Sequence, residues 1–144
     1  MGKKRIVKQS GGGGDSGLKS RALSRAAKKK VEFGTLYVQS TYNNTLLSLA
    51  DKSGNVLCAS SSGALGFNGA KKSTPFAAAK VAELIAEKAI QFGMKEVDVV
   101  VSGVGAGRES SIRAFTGKGI GVSTIQDRTP VPHNGPRSKK ARRV

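Results

Sequence analysis

Short segments in the first half of the chain show the alternation of apolar and polar residues that is typical of β-strands. Residues 35–39 alternate, and residues 45–50 and 56–60 are rich in aliphatic side chains. The turn-forming residues Tyr42, Asn43 and Asn44 separate the first two segments, and residues 51–55 separate the second from the third. This pattern predicts three antiparallel strands in a meander.

A helical period begins after residue 74. Thr74 suits the N-cap of a helix and Pro75 its first position, because proline lacks an N–H that the first turn would leave unpaired. The apolar positions that recur at roughly helical spacing, up to Gly93, are Val81, Leu84, Ile85, Ile90 and Phe92. These features predict one long helix.

The remainder of the chain predicts a strand, a glycine loop, a second helix and a last strand. Residues 96–101 form a β-branched run, residues 103–107 hold three glycines, residues 108–115 suit a helix, and residues 120–127 suit a strand. The order βββαβαβ predicts an α/β fold, with a mixed five-stranded sheet and two helices packed against it, flanked by basic N- and C-terminal extensions.

Positive charge is concentrated at the two ends of the chain. The 144 residues include 25 Lys and Arg against 9 Asp and Glu, a formal net charge of +16. Residues 1–32 carry ten basic and two acidic side chains, residues 33–126 nine and six, and residues 127–144 six and one. We therefore expect a basic glycine-containing arm that is disordered when free (1–32), an α/β domain (33–127), an extended basic tail (128–144) and a polyanionic partner.

The residue types that most catalytic and metal sites need are scarce. Cys58 is the only cysteine, so an intramolecular disulfide and a cysteine zinc cluster are excluded, and we expect a small buried residue in a strand. His133 is the only histidine, and its neighbours suggest neither a metal site nor a catalytic triad. We expect no catalysis, metal or cofactor. Without an apolar N-terminal stretch or a membrane span, we expect a cytoplasmic protein.

The glycine loop is the first candidate site for a phosphate. Gly103, Gly105 and Gly107 place backbone N–H groups just before a helix, where amides and the helix dipole favour an anion. Their spacing fits neither the dinucleotide-binding fingerprint nor the P-loop. The hypothesis is that Arg108 and Arg113, on the helix that follows, face a phosphate of RNA.

A second candidate site precedes the long helix. Lys71, Lys72 and Ser73 stand at the helix start, where donors and positive charge again converge on anions. Two such sites on one small domain suggest a long polyanion rather than a mononucleotide. The alternative for the arginines is a solvated helix face on which Glu109 is their local partner.

Few aromatic residues are available for contact with bases. Tyr37, Phe76 and Phe92 are expected in the core, whereas Tyr42 and Phe67 lie in predicted loops and are candidates for stacking on bases or ribose. Residues 128–137 are too rich in proline for a helix and are expected to be stiff and extended. The basic residues after them lack an amphipathic face, which favours phosphates over a membrane surface.

Several motifs resemble those of the small-subunit ribosomal protein eleven family, from about residue 33 to residue 144. The motifs are Asn43-Asn44-Thr45, residues 72–78, Gly107-Arg108-Glu109-Ser110 with Ile112-Arg113-Ala114, Asp127, Thr129-Pro130, Pro132-His133-Asn134-Gly135, Arg137 and residues 142–144. The Pro-His-Asn-Gly form is similar to that of the bacterial and organellar branch. The chain departs from the family at Val104 and Ala106, where prolines are common, and in its glycine run at residues 11–14.

The resemblance implies a structural constituent of the small ribosomal subunit that acts in translation. It implies an α/β domain on the platform, which binds and bridges helices of the small-subunit ribosomal RNA near the messenger exit cleft. Implied neighbours are small-subunit proteins seven and eighteen, initiation factor three and nearby messenger RNA. The RNA contacts carried over by motif are Asn43, Asn44, Gly66, Phe67, Gly69, Lys71, Lys72, Ser73, Gly103, Gly105, Gly107, Arg108, Arg113, Arg128, His133, Asn134, Gly135, Arg137, Lys139, Lys140, Arg142 and Arg143.

Two other functions stay open from the sequence. A general nucleic-acid chaperone or DNA-compacting protein would also be basic and tailed, and it would bind any duplex with similar affinity. A ribosomal protein should instead prefer a folded RNA fragment at moderate salt. An enzyme that acts on a phosphorylated small molecule is the third possibility, and the absence of a nucleotide-binding fingerprint counts against it.

Overall fold

The structure, a computed structural model, describes residues 30–141 and contains five strands, two α-helices and one short 3₁₀ helix in that range. The strands are β1 (Phe33–Ser40), β2 (Thr45–Asp51), β3 (Val56–Ser61), β4 (Glu96–Ser102) and β5 (Gly121–Asp127). The helices are the 3₁₀ helix (Gly69–Ser73), α1 (Pro75–Gln91) and α2 (Gly107–Thr116). The predicted order βββαβαβ is confirmed, and the structure adds the 3₁₀ helix between β3 and α1, where Phe67 was expected in a loop.

The strands form one mixed sheet in the order β3-β2-β1-β4-β5. Neighbours among β1, β2 and β3 are antiparallel, as the meander predicted, whereas β4 is parallel to both β1 and β5. Parallel neighbours need a crossover longer than a hairpin, and α1 and α2 lie in the connections that lead into β4 and β5. As a result β1, β4 and β5 run in one direction and end at the same edge of the sheet.

The core lies between one face of the sheet and the two α-helices. Every second residue of β1 and β4 faces it, including Leu36, Val38 and Val99, none of which is more than 1% exposed. The buried residues of α1 are Ala77, Ala78, Val81, Ala82, Leu84, Ile85, Ala86 and Ala89. Each fully buried Leu, Ile or Val stabilises the fold by about 1.5–3 kcal/mol, and the many alanines let α1 lie close to its neighbours.

The end of α1 departs from the predicted apolar stripe. Ile90, expected on the buried face, is 51% exposed. Ala89, four residues after Ile85, lies on the helix face that is buried against the sheet. Ile90 is the next residue, so the helical turn points its side chain away from that face. Phe92, just beyond the helix, is 2% exposed, so its prediction as a core residue is confirmed.

Two aromatic residues predicted to lie in the core are exposed instead. Leu36 and Val38 face the helices, so Tyr37 between them lies on the opposite face of the sheet, which no helix of residues 30–141 covers, and it is 41% exposed. Phe76, in the first turn of α1, is 64% exposed. The sequence pattern did not show that the sheet has only one covered face.

Cys58 lies in β3 and packs half-buried against the core, as expected for a small residue in a strand. Burial raises the pKa of its thiol to about 11, although the positive charge of Lys88 acts in the opposite direction. The thiol is therefore protonated at neutral pH and suits packing rather than nucleophilic chemistry.

The domain begins before β1. The N–H of Val31 donates to the carbonyl of Phe92 over 2.9 Å, and the carbonyl of Glu32 accepts from the N–H of Lys95 over 2.9 Å. The side chain of Val31 packs against the core. Residues 31 and 32, which the sequence assigns to the arm, are thus attached to the domain, while residues 1–29 lie outside the described range.

No helix within residues 30–141 is long and apolar enough to cross a membrane.

The start of α1 is held by a cap that also bonds to the 3₁₀ helix. The N–H of Ala77 donates to the hydroxyl of Thr74 over 3.3 Å, and that hydroxyl donates to the carbonyl of Lys71 over 2.8 Å. Pro75 occupies the first helical position, as predicted. The cap therefore links the lysine-bearing 3₁₀ helix to the long helix.

Replacing Thr74 with alanine removes both hydroxyl hydrogen bonds at the start of α1. We expect Thr74→Ala to lower the free energy of unfolding by about 1 kcal/mol, measured by urea denaturation. Thr74→Ser keeps the hydroxyl and is the matched control, which should stay close to the parent. Equal stability of the two variants would contradict the capping role.

Candidate nucleic-acid interface

The carboxyl ends of β1, β4 and β5 bring distant parts of the chain together. The turn at residues 41–44 follows β1, the glycine loop at residues 103–107 follows β4, and Thr129 follows β5 closely. The N–H of Gly105 donates to the carbonyl of Ser40 over 2.9 Å, and the N–H of Gly103 donates to the Thr129 hydroxyl over 3.2 Å. We call residues 41–44, 103–107 and 127–129 the carboxyl edge. In open α/β sheets, ligands bind at this edge.

The glycines of this loop are required by close packing against β1. Gly103 has a φ of 99°, and a Cβ atom there would meet the backbone of Ser40 at under 3.0 Å. A Cβ on Gly105 would meet the backbone of Thr41 equally closely. The sequence interpretation treated these glycines as a source of free amides, whereas the amides of Gly103 and Gly105 bond within the domain.

Gly107 brings the two helix starts together. A Cβ atom on Gly107 would lie within 3.0 Å of both the hydroxyl oxygen of Thr45 and the Cβ of Ala78. Ala78 is in the first turn of α1, and Gly107 is the first residue of α2. The two positions where helix dipoles favour anions therefore adjoin each other.

Buried hydroxyl groups lie inside the domain next to the carboxyl edge, and the sequence interpretation did not predict them. Ser40 and Thr45 are fully buried, with their hydroxyl oxygens 3.5 Å apart, and the N–H of Ser62 donates to the carbonyl of Thr45 over 3.0 Å. The alternation of buried and exposed residues along β1 could have revealed the buried hydroxyl of Ser40. Ser40 continues the buried positions Leu36 and Val38, so a polar residue there had to find a buried partner.

Arg108 is bound within the protein at this edge. Its Nη2 donates to Asp127 Oδ2 over 2.6 Å, and its Nη1 donates to the Thr129 hydroxyl over 3.1 Å and to the carbonyl of Gly103. The Asp127 carboxylate also accepts from the Thr129 N–H over 2.8 Å and from the Thr129 hydroxyl over 2.6 Å. The positive charge of Arg108 is thus largely neutralised by Asp127.

Asp127 is held in its charged form by these partners. The Thr129 hydroxyl and the Arg108 guanidinium keep the pKa of Asp127 well below its usual range. Because the folded pKa is depressed, the network is complete at neutral pH and is lost only as the pH falls towards that lowered value.

Arg113 is placed differently from Arg108. It is exposed in the last turn of α2, with no ion pair to another described residue, whereas Arg108 is near the start of that helix. They are five positions apart in the chain, which is about 7.5 Å along a helix axis. The hypothesis that both arginines face one phosphate is therefore not supported by their placement.

Two aromatic residues flank the basic 3₁₀ helix in the chain, the half-buried Phe67 before it and the exposed Phe76 after it. Lys71 is exposed and Lys72 is half-buried. The ring of Phe67 meets that of Phe76 edge-on, with centroids 6.2 Å apart, and Lys80 Nζ lies 5.7 Å from the Phe76 centroid. Phe76 is an accessible ring that the sequence interpretation missed, because its helical position suggested the core.

The asparagine turn presents polar groups between β1 and β2. The N–H of Thr41 donates to the carbonyl of Asn44 over 2.9 Å, and the N–H of Asn44 donates to the Thr41 hydroxyl over 3.1 Å. The Oδ1 atom of Asn44 is buried and has no hydrogen-bond partner among the described residues. Tyr42 is 76% exposed and Asn43 is exposed beside it.

The remaining predicted contacts lie in the tail after β5. Its described residues form no helix or strand, the chain bends at residues 133–134, and Asn134 adopts a φ of 55°. The exposed candidates there are Arg128, His133, Asn134, Gly135, Arg137, Lys139 and Lys140. Arg142 and Arg143 lie outside the described residues.

Comparison with known proteins finds relatives over most of the chain. The family model described as "Ribosomal protein S11" matches residues 34–143. Two similar relatives, from two strains of the bacterium Treponema pallidum, one of them strain Nichols, are each named "Small ribosomal subunit protein uS11". Each is 54% identical to this chain over 120 residues, or 83% of this chain and 95% of the relative.

Adding a methyl group at Gly107 tests the close packing of the two helix starts. We expect Gly107→Ala to lower the free energy of unfolding by about 1–3 kcal/mol, the usual cost of overpacking. In Gly63→Ala the new Cβ would lie 3.7 Å from its nearest neighbour, Lys72 Cδ, so this control should change stability by under about 0.5 kcal/mol. Urea denaturation measures both, and equal effects would contradict the packing role.

Proposed function

Because the chain belongs to the ribosomal protein S11 family, we propose that it binds small-subunit ribosomal RNA through its carboxyl edge, its 3₁₀ helix and its tail. Its relatives are proteins of the small ribosomal subunit, so the chain is a structural constituent of that subunit, acts in translation and is not an enzyme. Ribosomes of bacteria, the source of both relatives, are cytoplasmic.

One observation carries the proposal: many of the predicted contact residues lie on one side of the domain. Gly107 and Ala78 put the starts of α2 and α1 side by side, and Lys71 and Lys72 lie just before α1. The tail leaves the same edge after Thr129. This side can contact several phosphates in succession, which suits an RNA helix better than a single nucleotide.

Polar and aromatic groups at this side supply contacts to ribose and bases. The side-chain amide of Asn43, exposed in the turn after β1, can exchange hydrogen bonds with a ribose 2′-hydroxyl. The exposed rings of Tyr42 and Phe76 offer stacking surfaces, while Phe67 is partly covered by Phe76. We assign these residues to recognition of RNA shape and of unpaired nucleotides.

The tail extends the contact surface beyond the domain. Arg137, Lys139 and Lys140 are exposed, and Arg142 and Arg143 continue the basic sequence. An extended segment of this kind reaches a second RNA helix, so one protein bridges two. We assign phosphate contacts to these residues and to Arg128, with the bend at residues 133–134 directing the chain between them.

The family resemblance supports a more detailed location. We propose that the protein lies on the platform near the messenger exit cleft, beside small-subunit proteins seven and eighteen, with initiation factor three and messenger RNA close by.

Sedimentation of a native lysate tests the ribosomal assignment directly. At about 0.1–0.2 M salt, where weak phosphate contacts lose much of their affinity, the protein should co-migrate stoichiometrically with the small subunit, as measured by mass spectrometry. Migration with DNA would instead support the alternative of a DNA-compacting protein or general nucleic-acid chaperone.

Charge removal from the 3₁₀ helix tests the proposed RNA-binding side. The double variant Lys71→Ala/Lys72→Ala should weaken binding to a folded platform fragment of small-subunit RNA. Its plot of log affinity against log salt should lose about two units of slope, one for each phosphate contact. Filter binding over a salt series measures both quantities.

The matched control removes the same charge from the opposite edge of the sheet. Lys95 and Lys118 precede β4 and β5, and pair with Glu32 at 3.2 Å and Glu87 at 3.6 Å. Lys95→Ala/Lys118→Ala should leave the salt slope nearly unchanged. Equal loss of slope in both double variants would mean that binding follows total charge, and would overturn the assignment of this side.

A further inference from the structure

We propose that Arg108 and Asp127 form a clamp that sets the direction of the C-terminal tail, so that Arg108 is a positioning residue rather than a phosphate ligand. The proposal rests on the proposed RNA-binding function and deepens it. Arg108, Asp127, Thr129 and the backbone of Gly103 make up the clamp.

The hydroxyl of Thr129 is at the centre of the clamp. It accepts from the Gly103 N–H at 3.2 Å and from Arg108 Nη1 at 3.1 Å, and it donates to Asp127 Oδ1 at 2.6 Å. A hydroxyl has one donor and two acceptor sites, so all three are used. A hydroxyl with every site occupied has little freedom to rotate, and its residue is held against the glycine loop.

The clamp is also the last attachment of the tail. The N–H of Arg128 donates to the carbonyl of Val101 over 2.8 Å, which continues the pairing of β5 with β4 by one residue. No described residue after Thr129 forms a hydrogen bond with another described residue. The direction in which the basic tail leaves the domain is therefore decided at residues 127–129.

Charge balance argues against a direct phosphate contact by Arg108. Its guanidinium pairs with the carboxylate of Asp127 at 2.6 Å, so the pair adds no net charge towards RNA. The side chain is only 30% exposed, whereas Asp127 beside it is 55% exposed and would repel a phosphate. Arg113, exposed and without an ion pair among residues 30–141, is the better phosphate ligand on α2.

A clamp of this kind strengthens RNA binding without touching RNA. Holding the start of the tail reduces the conformational entropy that the tail loses when it binds. Because the pairing is partly exposed, its effect is modest, and we expect a three- to tenfold change in affinity, about 0.7–1.4 kcal/mol.

Asp127→Asn distinguishes a clamp from a phosphate ligand, because the two roles of Arg108 predict opposite changes in affinity for RNA. The substitution removes a negative charge near RNA and frees Arg108, so a phosphate-binding Arg108 predicts unchanged or tighter binding to the platform RNA fragment. The clamp predicts binding about three- to tenfold weaker. Glu96→Gln, the same charge change at an exposed residue on the opposite edge, should not weaken binding. Unchanged or tighter binding by Asp127→Asn overturns the proposal.

The salt dependence of a second variant gives a readout that loss of structure alone would not move. Arg108→Ala combined with Asp127→Asn keeps the net charge of the pair at zero. If Arg108 belongs to a clamp, this double variant should bind RNA as weakly as Asp127→Asn does, and its salt slope should equal that of the parent. If Arg108 is a phosphate ligand, the slope should be smaller by about one unit. Arg113→Ala should show that smaller slope. A smaller slope in the Arg108 double variant would overturn the clamp.

Limited trypsin digestion of the full chain tests the clamp without RNA. The bond after Arg128 lies inside the clamp, and the bond after Arg137 lies beyond it. We expect Asp127→Asn to speed cleavage after Arg128 about three- to tenfold and leave cleavage after Arg137 unchanged, as read by mass spectrometry. Equal rates after Arg128 in parent and variant would overturn the clamp even if RNA binding holds. A parent that is clamped yet binds no platform RNA would contradict only the proposed function.

Discussion

The close contact between the glycine loop and the end of β1 is the constraint on which the rest of the site depends. Gly103 and Gly105 bring the backbone after β4 so near to Ser40 and Thr41 that no Cβ atom fits between them. That approach seats Gly107 against Ala78 and so joins the two helix starts. It also exposes the carbonyl and N–H of Gly103 to Arg108 and Thr129, which hold the start of the tail.

This arrangement separates stability from recognition. The core of aliphatic and alanine residues holds the sheet and helices, while the carboxyl edge is lined with hydroxyls and backbone groups whose partners are inside the protein. Of the basic residues that we propose as RNA contacts, Lys71 lies just before α1, whereas Arg113 lies in the last turn of α2, away from the carboxyl edge. In the proposed RNA-binding function, the folded part therefore acts as a frame, and the exposed basic residues supply most of the affinity.

Most of the fold was predictable from local patterns. The β-branched runs, the Thr74-Pro75 helix start and the turns at 42–44 and 51–55 each carry a short-range signal, and all five strands and both helices follow from such signals. The errors concerned which face of an element is buried. Tyr37, Phe76 and Ile90 are apolar residues at exposed positions, because burial depends on which neighbour covers a face and not on the residue itself.

The sequence by itself determined the class of partner and the order of the elements, because net charge and hydrophobic period are properties of the chain. Only the tertiary structure decided what the motif residues do. The glycines between 103 and 107 are needed for packing, and Arg108 is paired with Asp127, 19 positions away in the chain. Such roles depend on distances across the sheet, which arise when β1, β4 and β5 align in parallel and end at one edge.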